Sequence, residues 1–181
     1  MNGPYIFQSE RLGFRNWMWS DILKMSAINA DPKVMEFFPA IATHQQTEAF
    51  VERMRKQFEQ NRFCYFAVDR LDTGEFIGFI GISEQTYESD FTPCVDIGWR
   101  LAPKQWGNGY ATEGAKRCLE YAFNELGLVK IVSVCPEVNK HSEAIMQKIG
   151  MRKIKTFDHP LLLSYEWLKR CLLYEIERTS R

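Results

Sequence analysis

The sequence has little that would tie it to nucleic acid, metal or membrane. Its 23 basic residues are balanced by 23 acidic ones, so no net field recruits a polyanion or a charged membrane surface. Three histidines, His44, His141 and His159, stand apart from the cysteines, a spacing that offers no metal-ligand cluster. The five cysteines are Cys64, Cys94, Cys118, Cys135 and Cys171. They form no close pair and four lie in apolar runs, as reduced, buried thiols do. No apolar run approaches ~18 residues, and Met1 to Glu10 lacks a basic start followed by an apolar stretch. Repeats, low-complexity tracts and linkers are missing too. The chain therefore reads as soluble and cytoplasmic, with neither nucleic acid nor membrane as a partner. At 181 residues, 45% hydrophobic and 14% aromatic, it suffices for one core, and a single domain over 1–181 is expected.

The most informative stretch is Leu101 to Gly114. Upstream, Cys94 to Leu101 reads as a strand closed by Pro103. Downstream, Ala111, Ala115, Cys118, Leu119, Ala122 and Phe123 recur at helical spacing up to Gly127, a helix stop. A strand, a loop with two glycines and a helix start make an anion site. The first helical N–H groups lack partners, and glycine lets the backbone approach oxygen atoms closely. The same pattern also occurs in plain turns. Two phosphate loops are excluded. Gly109 is followed by Tyr110 and Ala111, not by the Lys-Ser/Thr of a P-loop, and the loop lies too late in the chain for a dinucleotide fingerprint.

Elsewhere, the pattern reads in order as a strand over Glu10 to Trp17, with Leu12 and Phe14 on one face. A helix follows from Ser20 and Asp21, then a short turn capped by Asp31 with Pro32. Thr43 and Gln46 form a capping box for a helix to about Asn61, striped by Ala49, Phe50, Met54 and Phe58. A hairpin of Phe63–Asp69 and Phe76–Ser83 precedes the strand before the loop, with Gly78 and Gly81 marking a bulge or a close approach. After the glycine-loop helix come a buried strand over 129–134, a helix from Asn139 stopped by Gly150, and strands 152–158 and 171–177, paired antiparallel.

This order, over roughly residues 9 to 177, resembles the GNAT superfamily of N-acetyltransferases. Trp106, Gly109 and Ala111 stand where that family's pyrophosphate loop has Arg or Gln, Gly, and Gly or Ala. The Trp form resembles the branch of the ribosomal-protein (RimJ/RimL-type) N-acetyltransferases. Further matches are Arg11 Leu12, Asn29 to Pro32 with Met35, Phe38 and Pro39, Ile97 Gly98 Trp99, Gly109 to Glu113, Asn139 with Ser142, and Lys148 to Met151. The resemblance implies an α+β fold whose central, mostly antiparallel twisted sheet is splayed between its middle strands and flanked by helices. It also implies acetyl-CoA as cosubstrate, no metal, and transfer to a primary amine on a small molecule or a protein N-terminus, by a monomer or homodimer. A non-catalytic acyl-CoA-binding module and a protein-interaction domain with an empty loop compete with that reading.

The site residues implied for the cofactor are Trp99, Arg100, Leu101, Trp106, Gly107, Asn108, Gly109, Tyr110, Ala111, Thr112, Asn139 and Ser142. Asn139 either contacts the pantetheine or simply caps its helix. Ser142, three residues on and on the same face, is the hydroxyl for the leaving thiolate. Met146 stands where other branches place a Tyr acid. Asp96, on a face with Gly98 and Arg100, is the first candidate base. Burial would raise its pKa and pairing with an Arg would lower it. Glu84 is the second candidate. Phe37 and Phe38, with Trp99 and Tyr110, are candidates to line a substrate groove or to pack in the core.

Overall fold

A computed structural model describes residues 3–178; residues 1, 2 and 179–181, which the expected 1–181 domain also spans, lie outside the described residues. One eight-stranded sheet organises the chain. The strands are β1 (Phe7–Gln8), β2 (Leu12–Arg15), β3 (Tyr65–Arg70), β4 (Phe76–Gln85), β5 (Cys94–Leu101), β6 (Lys130–Pro136), β7 (Arg152–Asp158) and β8 (Arg170–Glu177), in the spatial order β1-β2-β3-β4-β5-β6-β8-β7. The helices are α1 (Asp21–Asn29), α2 (His44–Asn61), α3 (Tyr110–Glu120, continued by a π-helical turn to Glu125) and α4 (Lys140–Lys148).

Every neighbouring pair is antiparallel except β5 and β6, which run parallel and are joined by one residue pair, Asp96 with Val132. Past that pair the strands part. The Ser133 hydroxyl takes up the Ile97 carbonyl at 2.9 Å in place of a ladder bond. Within one residue of an antiparallel ladder, N–H and C=O point to the same side. With the Ile97 carbonyl turned to β6, the Trp99 peptide groups two residues on also face the gap.

Side chains alternate across this sheet. On one face Phe79 of β4 meets Phe50 of α2, ring centroids 5.3 Å apart, and Tyr65 stacks on Phe79 at 5.1 Å. On the other face α3 lies so close that a Cβ at Gly114 would sit 2.4 Å from Ile80 Cδ1. The Thr43–Gln46 capping box forms as its residues predict: Thr43 Oγ1 accepts from Gln46 N, and Gln46 Oε1 from Thr43 N.

Several expectations need correction. A two-residue strand, β1, precedes the first predicted one. All four residues of β2 are buried, because Arg15 lies in the interior, bonded to both Asp21 and Asp69. Ser20 makes no side-chain cap on α1; Asp21 Oδ2 instead accepts from Met18 N at 2.8 Å. The inward stripe of α2 uses Thr47, Val51 and Met54, while Ala49 is exposed. Thr47 is tolerated there because its hydroxyl is satisfied, donating to the Thr43 carbonyl and accepting from Asn29 Nδ2. The strand predicted from 129 begins at Lys130 and leaves Val129 exposed.

Candidate active site

The glycine loop follows β5 directly. Gly107 and Gly109 have φ of +75° and +80°, the left-handed region that costs a side-chain-bearing residue. Trp106 N donates to Pro103 O, and backbone bonding resumes only at Glu113 N, which donates to Gly109 O. Between them the six N–H groups of residues 107–112 have no backbone acceptor among the described residues. Consecutive free N–H groups on a bend that opens a helix form a concave anion cradle.

Side chains brace this loop from behind. The Trp106 indole N–H donates to the Leu101 carbonyl at 2.9 Å, and Asn108 Nδ2 donates to the carbonyls of Gln105 and Trp106. Trp106 itself stays exposed. Glu113 ties the start of α3 to the β1–β2 corner, accepting from Ser9 Oγ, Arg11 N and Arg11 Nε. Tyr110 is buried beneath the Arg11 guanidinium, which lies 4.6 Å from its ring centre; it packs there and lines no open groove.

Across the β5–β6 gap, Asn139 caps α4, its Oδ1 accepting from Ser142 N at 3.1 Å. Capping leaves the Asn139 amide nitrogen available as a donor. Ser142 is half-buried and its hydroxyl finds no bond among the described residues. Met146 is buried in the core, so no acid projects from that position.

On the α1–α2 face of β5, Asp96, Gly98 and Arg100 line up. Asp96 Oδ1 accepts from Tyr65 Oη at 2.5 Å and from Gln85 Nε2 at 3.1 Å, and Gln85 also donates to Tyr65 Oη at 3.0 Å. Burial pushes the Asp96 carboxyl up to about 6, opposed by those two hydrogen bonds, and pushes the Tyr65 phenol well above its ordinary value. No cation pairs with Asp96 among the described residues, which removes the salt-bridge reading of this strand aspartate. Four residues along a strand span about 13 Å, too far for Arg100 to serve. The Tyr65 ring covers Gly98, where an added Cβ would lie 3.2 Å from Cε1.

Arg100 sits at the far end of this row, Nη1 donating to Asn29 Oδ1 at 2.8 Å, with its Cζ 4.2 Å from the Phe38 ring centre and 5.4 Å from that of Phe79. Phe38 thus joins the row; Phe37, half-buried, makes no such contact. Glu84 does not join it either. It pairs with Val95 across the strands, points to the opposite face and is exposed. Trp99, half-buried, shares the α3 face with Ile80, its partner in the ladder. Sequence reading passed over Tyr65 and Gln85, neither of which belongs to a motif, and named Asn29 only as part of the Asn29 to Pro32 match, without a role at the site. No three-residue His/Cys/Asp/Glu group fit for a metal occurs among the described residues, and no helix there is long and apolar enough to cross a membrane.

Comparison with known proteins agrees with this geometry. Residues 11–152 match the Acetyltransferase (GNAT) domain family. YkkB of Bacillus subtilis is 32% identical over 145 residues, covering 80% of this chain and 79% of its own. A GNAT-family acetyltransferase structure from Bacillus anthracis superposes with a TM-score of 0.77 at 28% identity, covering 94% of this chain and 96% of that one. The RimL ribosomal alpha-N-protein acetyltransferase, solved in complex with coenzyme A, superposes at 0.76 with 14% identity over 95% and 97% of the two chains; at that identity the likeness shows the fold alone.

Proposed function

Since this chain belongs to the GNAT family of acetyltransferases, we propose that it moves an acetyl group from acetyl-CoA directly to a primary amine, as a single domain over 1–181. The observation that carries this reading is the run of six unpartnered N–H groups at residues 107–112. A diphosphate would satisfy them, and the two left-handed glycines keep the approach open. Acetyl-CoA supplies an activated thioester carbonyl and a thiolate leaving group.

The residues then divide the work. The loop Trp106 to Thr112 holds the pyrophosphate through backbone N–H groups, so Trp106 in place of Arg or Gln costs little. The free peptide groups of Trp99, with the Leu101 N–H, hold the pantetheine arm, and Asn139 Nδ2 reaches it from α4; the Arg100 peptide groups face β4 instead. Asp96 takes the amine proton. A carboxyl with a pKa of about 6 is ionised at neutral pH yet remains basic enough to work as a general base. Tyr65 and Gln85 position it. Ser142 donates to the departing sulfur. Glu84, on the other face, takes no proton in this scheme.

A non-catalytic acyl-CoA-binding module is the second reading; the half-buried carboxylate at Asp96, tuned towards neutrality, favours catalysis over it. Titration calorimetry with CoA and with pantetheine, followed by thiol release over an amine panel, tests both. CoA should bind far more tightly than pantetheine, and at least one amine should release thiol. Equal binding of CoA and pantetheine would remove the loop from the scheme, and CoA binding without any thiol release would leave only the module. The reaction is expected in the cytoplasm, from a monomer or homodimer that needs neither nucleic acid nor membrane.

A further inference from the structure

Arg100 is a half-buried cation that no acid among the described residues neutralises. Its Nε is buried without any hydrogen-bond partner, and Nη1 meets only the neutral Asn29 amide. No carboxylate among the described residues lies within ion-pairing distance. Burial pulls its pKa down to about 10, and the only group opposing that is the Tyr65 phenol, not a carboxylate. The contrast is Arg15, buried at 4% exposure and held by both Asp21 and Asp69. An arginine taken out of water without an anion is a costly arrangement, and this one is built in firmly. Thr47 holds Asn29, Asn29 holds Arg100, and both Thr47 and Asn29 are almost fully buried. Phe38 and Phe79 flank the guanidinium.

The neighbours of this cation indicate what could neutralise it. It ends the row Asp96, Gly98, Arg100, whose middle residue has no side chain. The Tyr65 ring fills the space over Gly98, so an amine delivered to Asp96 and an anion on Arg100 would lie on either side of that ring, within the ~13 Å of strand that separates the two residues. We propose that Arg100 is the acceptor-recognition residue and that the natural acceptor is an amine that also carries a carboxylate. The guanidinium offers Nε and a free edge to the carboxylate as a two-pronged donor. A polyamine would bring a second cation to the same place and is selected against.

This inference rests on the acetyltransferase reading for the position of the amine, and the test separates the two. The probes are three homologous series with one to five methylenes: ω-amino carboxylates, the matching ω-amino amides, and diamines. Binding to the CoA-loaded protein is measured by calorimetry and turnover by thiol release from acetyl-CoA, for the wild type, Arg100→Met and Arg100→Lys, with circular dichroism and melting confirming that each variant is folded. One or two of the amino carboxylates should bind at least tenfold more tightly than their amides and their diamines. Arg100→Met should erase that preference, and Arg100→Lys should retain part of it. Amides or diamines binding as well as carboxylates, a carboxylate preference that survives Arg100→Met, or no measurable binding of any amino carboxylate would overturn the proposal. Carboxylate binding without thiol release from any amine would overturn the acetyltransferase reading and leave the anion subsite standing.

Discussion

The Tyr65 hydroxyl lies 2.5 Å from Asp96 Oδ1, although 31 residues and the whole of β4 separate the two. The hydrogen bond favours the ionised carboxylate, whereas burial favours the protonated acid, and burial prevails. Tyr65 therefore sets how far the pKa of Asp96 can rise.

Replacing Asp96 tests that balance in two ways. In the wild type, the acidic limb of kcat/KM should fall near pH 6, and Asp96→Asn should lower activity and abolish that limb, with partial recovery at high pH. Stability should move in the opposite direction. The folded pKa is raised from 3.8 to about 6, so the contribution of this carboxyl is complete below pH 3.8 and is lost as pH rises through 6. Asp96→Asn should thus be more stable than wild type by about 3 kcal/mol at pH 7, with the gap closing by pH 4. Urea denaturation across that range measures it; a variant less stable at pH 7 would mean that the carboxylate is stabilised by a charge.

Tyr65→Phe should leave a base in place but shift it. With the phenol removed, the acidic limb of kcat/KM moves above pH 6, while the affinity for CoA, titrated separately, stays within about twofold. A limb moving to lower pH would contradict the assigned direction of that hydrogen bond.

Gly109→Val should reduce CoA affinity by at least tenfold in a protein that still melts cooperatively. A Cβ there would meet only the end of the Arg11 side chain, 3.5 Å away, so space is available. The φ of +80° makes a β-branched residue strained, and the cradle must re-form to accept it. Calorimetry that finds wild-type affinity in the folded variant would remove Gly109 from the binding site.

Ser142→Ala should lower kcat by about 10- to 100-fold with CoA affinity nearly unchanged, since water can replace the hydroxyl as a proton donor. The Ser142 backbone N–H, which Asn139 caps, is untouched by the substitution. Loss of CoA affinity with kcat intact would assign Ser142 to binding instead.

What could be read from the sequence was local. The capping box at Thr43, the helix stops at Gly127 and Gly150, the cap at Asn139 and the loop around Gly107 and Gly109 each depend on neighbours a few residues away, and each is found where expected. The resemblance extended that reading to the element order and the splay. What could not be read depends on pairs distant in the chain. Asp96 needed Tyr65 from β3, and Arg100 needed Asn29, 71 residues earlier. The stripe of α2 was misread at Thr47 because a polar residue can face inward only if its hydroxyl is satisfied, and the partner that satisfies it lies on α1. β1 is too short for period-two alternation to register, and it is a strand only through its pairing with β2.

Because β5 and β6 share one residue pair, the sheet behaves as two plates, five strands and three strands wide, joined along a narrow seam. Twisting or breathing of one plate against the other is resisted there by the pairing of Asp96 with Val132 and by the Ser133 bond to Ile97. A pantetheine arm lying along β5 would stand in for the missing rungs of that ladder. Ligand binding would then stiffen the whole sheet, and the amide of Trp99 would change its hydrogen-exchange rate more than amides within either plate.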